Sequence, residues 1–185
     1  MLLPTNPRIN ASPAPVVLHI VAAALFALLG AFQFSTRLRR RHPSWHRRSG
    51  RMLVVAGLVV AGSGLWMTLF YPDAPGGDLL WAVRLLVGST TAASIVLAFT
   101  AIRRRDIPHH RAWMIRAYAL AAGAGTQLFT QGIADAAFGT GDLSKALSMT
   151  SGWIINLAVA EWVIRRPSVL RARRVRARAV VIGSP

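Results

Sequence analysis

The stretch GAFQFSTRLRRRHPSWHRRSGRMLVV, which covers residues 30–55, decides the fold of this chain. Its centre, residues 37–51, contains seven arginines and two histidines, and long apolar segments lie on both sides. An apolar segment of about 20 residues is long enough to cross a lipid bilayer as an α-helix. The stretch therefore predicts two membrane-spanning helices joined by a basic loop.

The composition of the whole chain is also typical of a membrane protein. Hydrophobic residues make up 54% of the 185 residues, charged residues make up 15%, and the mean hydropathy is +0.43. The formal net charge is +16, and the basic residues are concentrated in three blocks, 37–51, 103–116 and 165–178. A nucleic-acid-binding protein would carry a basic patch on a soluble fold, so we expect no nucleic-acid partner. The chain has no Cys, which excludes disulfides and thiolate metal sites.

Five apolar segments have the length of a membrane span: residues 16–34, 52–70, 79–102, 112–133 and 147–164. Within lipid the backbone must satisfy its own hydrogen bonds, so each segment is predicted to be helical. The expected fold is an all-α, polytopic transmembrane helix bundle that occupies residues 16–164. Residues 1–15 form a short extracytoplasmic segment before it, and residues 165–185 form an Arg-rich tail after it.

The distribution of arginine predicts the orientation of the chain. The loops after the first and third spans and the tail after the fifth are basic, whereas the other two loops carry four Asp and one Lys. Because cytoplasmic loops are enriched in Lys and Arg, we expect the N-terminus outside and the C-terminus in the cytoplasm. Basic segments at the inner face also favour contact with anionic phospholipids of the bilayer.

The chain contains an internal repeat. A shift of 64 or 65 residues aligns FSTRLRRRHPSWHR, which begins at Phe34, with FTAIRRRDIPHHR, which begins at Phe99. Each copy reads as a helix, three arginines, a proline, His-Arg and a second helix. Both copies enter the membrane in the same direction, as parallel repeats do. We therefore expect a four-helix core built from the hairpins 16–70 and 79–133, with the fifth span, 147–164, packed beside it.

Two histidines occupy equivalent places in this repeat. His46 follows Pro43 and His110 follows Pro108, and proline in the first turn is a typical helix start. The second and fourth spans would lie diagonally in a four-helix bundle, so the two imidazoles could face each other and act as the axial ligands of a b-type haem. Four neighbouring arginines are candidates to pair with the haem propionates: Arg47, Arg51, Arg111 and Arg116. The alternative is that both histidines are interfacial loop residues.

A second polar layer is predicted near the outer face. His19 lies in the first span, and the 65-residue shift places Arg84 of the third span over it. Ionisable side chains within spans are costly and point to function, although Arg84 could instead extend to the outer interface. An arginine at this position leaves no second bis-histidine site, so His19 is the weaker candidate for a metal ligand. Glu161 in the fifth span is expected to pair with Arg165.

These residues carry a resemblance to a known family. The helix with His19, the segment HRRSGR at His46–Arg51 and the segment HRAWMIR at His110–Arg116 together resemble the bacterial membrane family called domain of unknown function 2306. The resemblance covers about residues 16–133. It implies a multi-pass protein of the bacterial cytoplasmic membrane and no particular activity.

A more distant likeness is to two core helices of the cytochrome b-561 class. It rests on these residues: His19, Gly30, Gln33, His46, Gly50 and Arg51. The likeness implies an inner haem on His46 and His110, an outer haem on His19, and electron transfer across the membrane. Arg84 departs from this pattern, because it stands where a fourth histidine ligand would be expected.

Two functions stay open, and the sequence identifies no catalytic residue. The first is a haem-binding protein that passes electrons to or from a quinone or another redox partner. The second is a non-redox membrane protein that binds a lipid or a small molecule, as a transporter-like protein or an accessory subunit. A hydrolase is not indicated, because there is no Cys nucleophile and no Ser in a recognisable catalytic motif.

Overall fold

The computed structural model describes residues 12–72 and 75–182, with side chains described as far as Arg166. These residues form seven α-helices and no strand, which confirms the all-α prediction. The helices are α1 (Ala14–Gln33), α2 (Thr36–Arg41), α3 (Pro43–Phe70), α4 (Gly77–Arg103), α5 (Ile107–Ala121), α6 (Gly123–Phe138) and α7 (Asp142–Ile182). Most of the predicted N-terminal segment 1–15, and the side chains of the tail beyond Arg166, lie outside this description.

Within the described part of the chain, four helices are long and apolar enough to cross a membrane by length and composition. They are α1, α3, α4 and the portion Asp142–Arg166 of α7. Many large apolar side chains on the helices are exposed, and on α6 Leu128 and Phe129 each expose 74% of their surface. Such a surface would be unfavourable in water and suits contact with lipid.

The fourth predicted span, 112–133, is not one continuous helix. The chain breaks at Ala122 into α5, of 15 residues, and α6, of 16 residues, and neither reaches the length of a straight span. Glycine at 123 and 125 weakens the helix here, because glycine has a low helix propensity. The indole of Trp153 also packs at Gly123, in the space that a β-carbon would fill.

The starts of α3 and α5 confirm the predicted helix-start signals. Pro43 begins α3, and Pro108 lies in the first turn of α5. Asp106 caps α5, because its carboxylate accepts a hydrogen bond from the backbone N–H of His109 at 3.2 Å. The two basic loops are therefore short, and each leads directly into a helix whose first turn carries a histidine.

The helices pack as neighbours along the chain. α1 lies against α3, α3 against α4, and α4 against α5, while a smaller contact between α1 and α5 closes the group. This arrangement places α3 and α5 on a diagonal, with little direct contact between them. α7 packs against α4, α5 and α6 from outside the group. A buried cluster between α1 and α3 forms part of the core: Ala22, Phe26, Leu53 and Val60.

Two glycines allow close approach in this core. A β-carbon at Gly30 of α1 would lie 2.5 Å from the ring of Tyr118, which belongs to α5. The Tyr118 hydroxyl also donates to the carbonyl of Ala27 at 3.0 Å, so ring and hydroxyl together join α5 to α1. At Gly57 of α3, a β-carbon would meet the side chains of Ile95 and Phe26 at 2.6 and 2.7 Å. These two glycines therefore set the spacing of four helices, α1, α3, α4 and α5.

The bundle has two ends of different character. The Arg-rich end comprises α2, the starts of α3 and α5, the C-terminal end of α4, and α7 around Arg165. The opposite end, called the far end below, carries the connections between α3 and α4 and between α6 and α7. These two connections are joined there, because the Asp142 carboxylate accepts a hydrogen bond from the N–H of Gly76 at 2.9 Å.

Candidate functional site

A cavity of about 410 Å³ opens near the far end of the bundle. Its walls come from α1, α3, α4, α5, α6 and α7, so residues from six helices meet around it. Most of the lining is apolar or carries only a hydroxyl group. Three lining residues carry ionisable or amide side chains that can bind polar groups: His19, Arg84 and Gln127.

His19 lies on the α1 wall of this cavity and is held by α3. Its Nδ1 atom is 3.0 Å from the hydroxyl oxygen of Ser63. A β-carbon at Gly64 would lie 3.4 Å from Cε1 of the imidazole, so the glycine leaves the space beside the ring open. The imidazole is therefore fixed on one side and borders the cavity.

Arg84 enters the same cavity from α4. Its guanidinium donates to the carbonyl of Pro75 at 3.3 Å and lies 3.8 Å from the sulfur of Met149. The sequence predicted that His19 and Arg84 occupy one polar layer, and the structure brings both to the lining of one cavity. A guanidinium carries five N–H donors and no acceptor.

The break between α5 and α6 contributes a polar wall that the sequence reasoning missed. Gln127 of α6 is 6% exposed, and its side-chain N–H donates to the carbonyl of Met149 at 3.1 Å. Asn156 of α7 donates to the carbonyl of Ala119 at 3.1 Å and accepts from the hydroxyl of Thr126 at 2.8 Å. The signal was available in the sequence, because polar amides within apolar segments are costly unless they are bonded.

The side chain of Asn156 replaces a backbone hydrogen bond that is lost at the break between α5 and α6. In a continuous helix the carbonyl of Ala119 would accept the N–H of residue 123, four positions later. The break at Ala122 removes that partner, and the Asn156 side chain replaces it. The interrupted helix is thus stabilised from α7, and its broken segment borders the cavity through Ala121 and Ala124.

At the Arg-rich end, His46 and His110 lie near each other. Both side chains are half-buried, and His110 contributes to the electrostatic environment of His46. His110 is oriented by α4, because its Nδ1 atom is 2.9 Å from the carbonyl oxygen of Ala98. A carbonyl only accepts hydrogen bonds, so Nδ1 carries the proton and, in the neutral ring, Nε2 has a free lone pair. His42 is exposed.

The four arginines predicted beside this histidine pair have different surroundings. Arg47, Arg51 and Arg111 are exposed at the Arg-rich end. Arg116 instead forms an ion pair with Glu161 of α7, with its Nε atom 2.6 Å from the carboxylate. Glu161 also contacts Arg165 at 3.5 Å, which confirms the predicted pair within α7.

The described residues contain no cluster of three or more His, Asp or Glu side chains that could hold a metal ion. The nearest approach to one is Asp106 with His109, whose Nδ1 lies 2.7 Å from the carboxylate. The His109 side chain is largely exposed, and Asp106 already caps α5. This pair therefore serves the start of a helix.

Comparison with known proteins agrees with the membrane architecture. No curated protein and no solved structure matches the chain. One family, described as "Predicted membrane protein (DUF2306)", matches residues 16–164, which overlap every candidate span. The chain belongs to this family of predicted membrane proteins, domain of unknown function 2306.

Proposed function

We propose that this protein is a non-redox membrane protein that binds a small molecule in the far-end cavity. The observation that carries the proposal is the meeting of His19, Arg84 and Gln127 in the lining of one cavity. These residues lie far apart in the chain, and each is costly to place within a membrane. Their convergence on one space is explained by a ligand with polar groups.

The size and lining of the cavity suggest the kind of ligand. A volume of about 410 Å³ lies within the range of about 300–1,000 Å³ that is typical of small-molecule sites. Apolar side chains such as Val87, Leu120 and Met67 provide most of the remaining wall. This combination favours an amphipathic molecule whose polar group lies between His19 and Arg84.

The test is a comparison of co-purified small molecules among three forms of the protein. Gly64→Leu would place a side chain into the cavity, because Gly64 lines it. Gly62→Leu is the matched control, since a β-carbon at Gly62 meets nothing within 4 Å. After purification in mild detergent, bound molecules are extracted and quantified by mass spectrometry.

We expect wild type and Gly62→Leu to retain the same small molecule in comparable amounts. Gly64→Leu should retain at least tenfold less of it, while all three forms keep their helical content by circular dichroism. Identical profiles in the three forms would contradict the proposal.

Haem binding by His46 and His110 is a second candidate function. Its support is the proximity of the two half-buried imidazoles and the fixed Nδ1 of His110, which directs Nε2 away from α4. A hydrogen bond on the second ring nitrogen is the usual way in which a protein orients a metal-binding histidine. In this candidate the two histidines would hold the haem iron, and Arg47, Arg51 and Arg111 would pair with the propionates. Bound haem would supply one-electron transfer, with a quinone or another redox partner.

An absorbance spectrum distinguishes the two candidates. The protein is expressed with haem supplied, purified in detergent and scanned in the oxidised and reduced states. A stoichiometric Soret band that disappears in His110→Ala and persists in His109→Ala would support haem binding. A spectrum without a Soret band rules out this candidate and leaves the cavity proposal unaffected.

We also infer that the Arg-rich end faces the cytoplasm of a bacterial cell and contacts anionic phospholipids. Because the chain has no Cys, single cysteines can report the orientation without background. Ser44→Cys marks the Arg-rich end and Thr140→Cys marks the far end, and both positions are exposed. An impermeant maleimide should label Thr140→Cys in intact cells, and Ser44→Cys only after permeabilisation. The reverse pattern would overturn this orientation.

A further inference from the structure

The hydrogen bonds of His19 determine which of its ring nitrogens carries the proton. The Ser63 hydroxyl donates to the carbonyl of Val59 in its own helix, so its oxygen is an acceptor towards His19. An acceptor oxygen opposite Nδ1 requires a donor on the ring, so Nδ1 is the protonated nitrogen.

A protonated Nδ1 has a consequence for the opposite side of the ring. In the neutral imidazole, Nε2 is then an acceptor with a free lone pair. Among the residues that the structure describes, no group bonds Nε2, although the imidazole lines the cavity.

We propose that the cavity selects a ligand with a hydroxyl or phenol group, whose O–H donates a hydrogen bond to Nε2 of His19. This inference rests on the proposed function, since it assigns the polar group of the cavity ligand. The opposite wall carries the guanidinium of Arg84, which can only donate. The same ligand oxygen, or a second one, can therefore accept from Arg84. An alcohol or phenol suits both walls, whereas an ether or a hydrocarbon lacks the donor.

The specificity test uses two probes that differ in one hydrogen-bond donor. The probes are 4-butylphenol and its methyl ether, 4-butylanisole. Binding is measured by equilibrium dialysis against the protein in lipid nanodiscs, with protein-free nanodiscs as the reference for partitioning into lipid. His19→Phe is the matched variant, because it keeps an aromatic ring and removes the acceptor.

We expect wild type to bind the phenol about tenfold more tightly than the ether, since one hydrogen bond to a buried acceptor is worth about that ratio. In His19→Phe the preference should disappear while the ether binds as before. Equal affinity for both probes in wild type would overturn the inference and leave the proposed function intact. Binding of neither probe would overturn it as well, and the co-purification comparison would then decide the proposed function by itself.

A second measurement reads the protonation state from the wild-type protein, and the variant serves only to assign the His19 signal. The ¹⁵N chemical shifts of the wild-type imidazoles show which nitrogen is protonated, and the His19 signal is the one that is missing in His19→Phe. We expect a protonated Nδ1, an unprotonated Nε2, and an Nε2 shift that changes on addition of 4-butylphenol but not of 4-butylanisole. A protonated Nε2 in the neutral ring would refute the assignment.

Discussion

The two ends of the bundle use polar residues in opposite ways. At the Arg-rich end most charged side chains point outwards, and the buried contacts are packing contacts and an ion pair, such as Gly30 with Tyr118 and Arg116 with Glu161. At the far end His19 and Arg84 instead line a cavity. The difference indicates that the Arg-rich end stabilises and orients the bundle, whereas the far end is arranged around an open space.

Changes at the Arg-rich end should lower the stability of the protein and leave the cavity ligand bound. Changes at the far end should release the ligand and affect stability less. The expected losses of stability decrease in the order Gly30→Leu, Arg116→Gln, Asn156→Ala and Arg84→Gln.

The largest effect is expected for Gly30→Leu, near the Arg-rich end. A side chain at this position would collide with the ring of Tyr118, where a β-carbon would already lie at 2.5 Å. Overpacking of this kind costs about 1–3 kcal/mol. Thermal unfolding in detergent should show a clear loss of Tm. Gly62→Leu, which meets no neighbour within 4 Å, should keep the Tm or raise it. Equal losses in the two variants would contradict the packing argument.

A smaller loss of stability is expected for Arg116→Gln. This substitution leaves the Glu161 carboxylate without its 2.6 Å partner, although the contact with Arg165 at 3.5 Å persists. The Arg116 and Glu161 side chains are 26% and 32% exposed, so the cost should be about 1–2 kcal/mol, between surface and buried ion pairs. Arg165→Gln is the control, because that side chain is 76% exposed and should contribute less than about 0.5 kcal/mol. Both are measured by thermal unfolding.

Asn156→Ala tests the break between α5 and α6 at Ala122, which lies between the two ends of the bundle. The substitution leaves the carbonyl of Ala119 without its side-chain donor. Hydrogen bonds between membrane helices contribute about 0.6 kcal/mol on average and about 1.7 kcal/mol at most, so a loss in this range is expected. Thr150→Val, which removes a bond to Ala146 within the same helix, is the control and should change Tm less. Faster hydrogen exchange confined to residues near 122 would locate the effect.

The smallest change in stability is expected for Arg84→Gln, at the far end. The glutamine keeps donors for the carbonyl of Pro75 but loses the guanidinium that lines the cavity. We therefore expect at least a tenfold loss of the co-purified ligand, with a shift in Tm below that of Arg116→Gln when ligand-free proteins are compared. If Arg116→Gln released the ligand equally, the division of labour between the two ends would be wrong.

Much of the fold could be predicted from the sequence because the relevant physics acts along the chain. Apolar segments of sufficient length must be helical in lipid, and Pro43 and Pro108 mark helix starts in the manner expected from local geometry. The single helix predicted at 112–133 was wrong, because the packing of Trp153 at Gly123 and the bond from Asn156 favour a break that the apolar composition does not reveal.

The candidate site could be predicted only in part. The internal repeat aligned His19 with Arg84 and His46 with His110. The first two residues line one cavity, and His110 contributes to the electrostatic environment of His46. The sequence marks Gln127 as a polar amide within an apolar segment, but it could not indicate that Gln127 lines the cavity or that Arg116 pairs with Glu161. Those contacts depend on how each helix is rotated about its own axis. Helices that are apolar on all sides carry little periodic signal for that rotation.

The sequence by itself therefore determined the membrane-spanning helices, the concentration of arginine at one end and the candidate polar residues, since each follows from composition and local spacing. Only the tertiary structure decided that the cavity lies at the far end, that α5 and α6 are separate helices, and that His19 lines the cavity while Ser63 of α3 contacts its Nδ1. The physical reason is that a cavity and a hydrogen bond require atoms from distant segments to meet at fixed distances. The packing of six helices, and no single stretch of the chain, sets those distances.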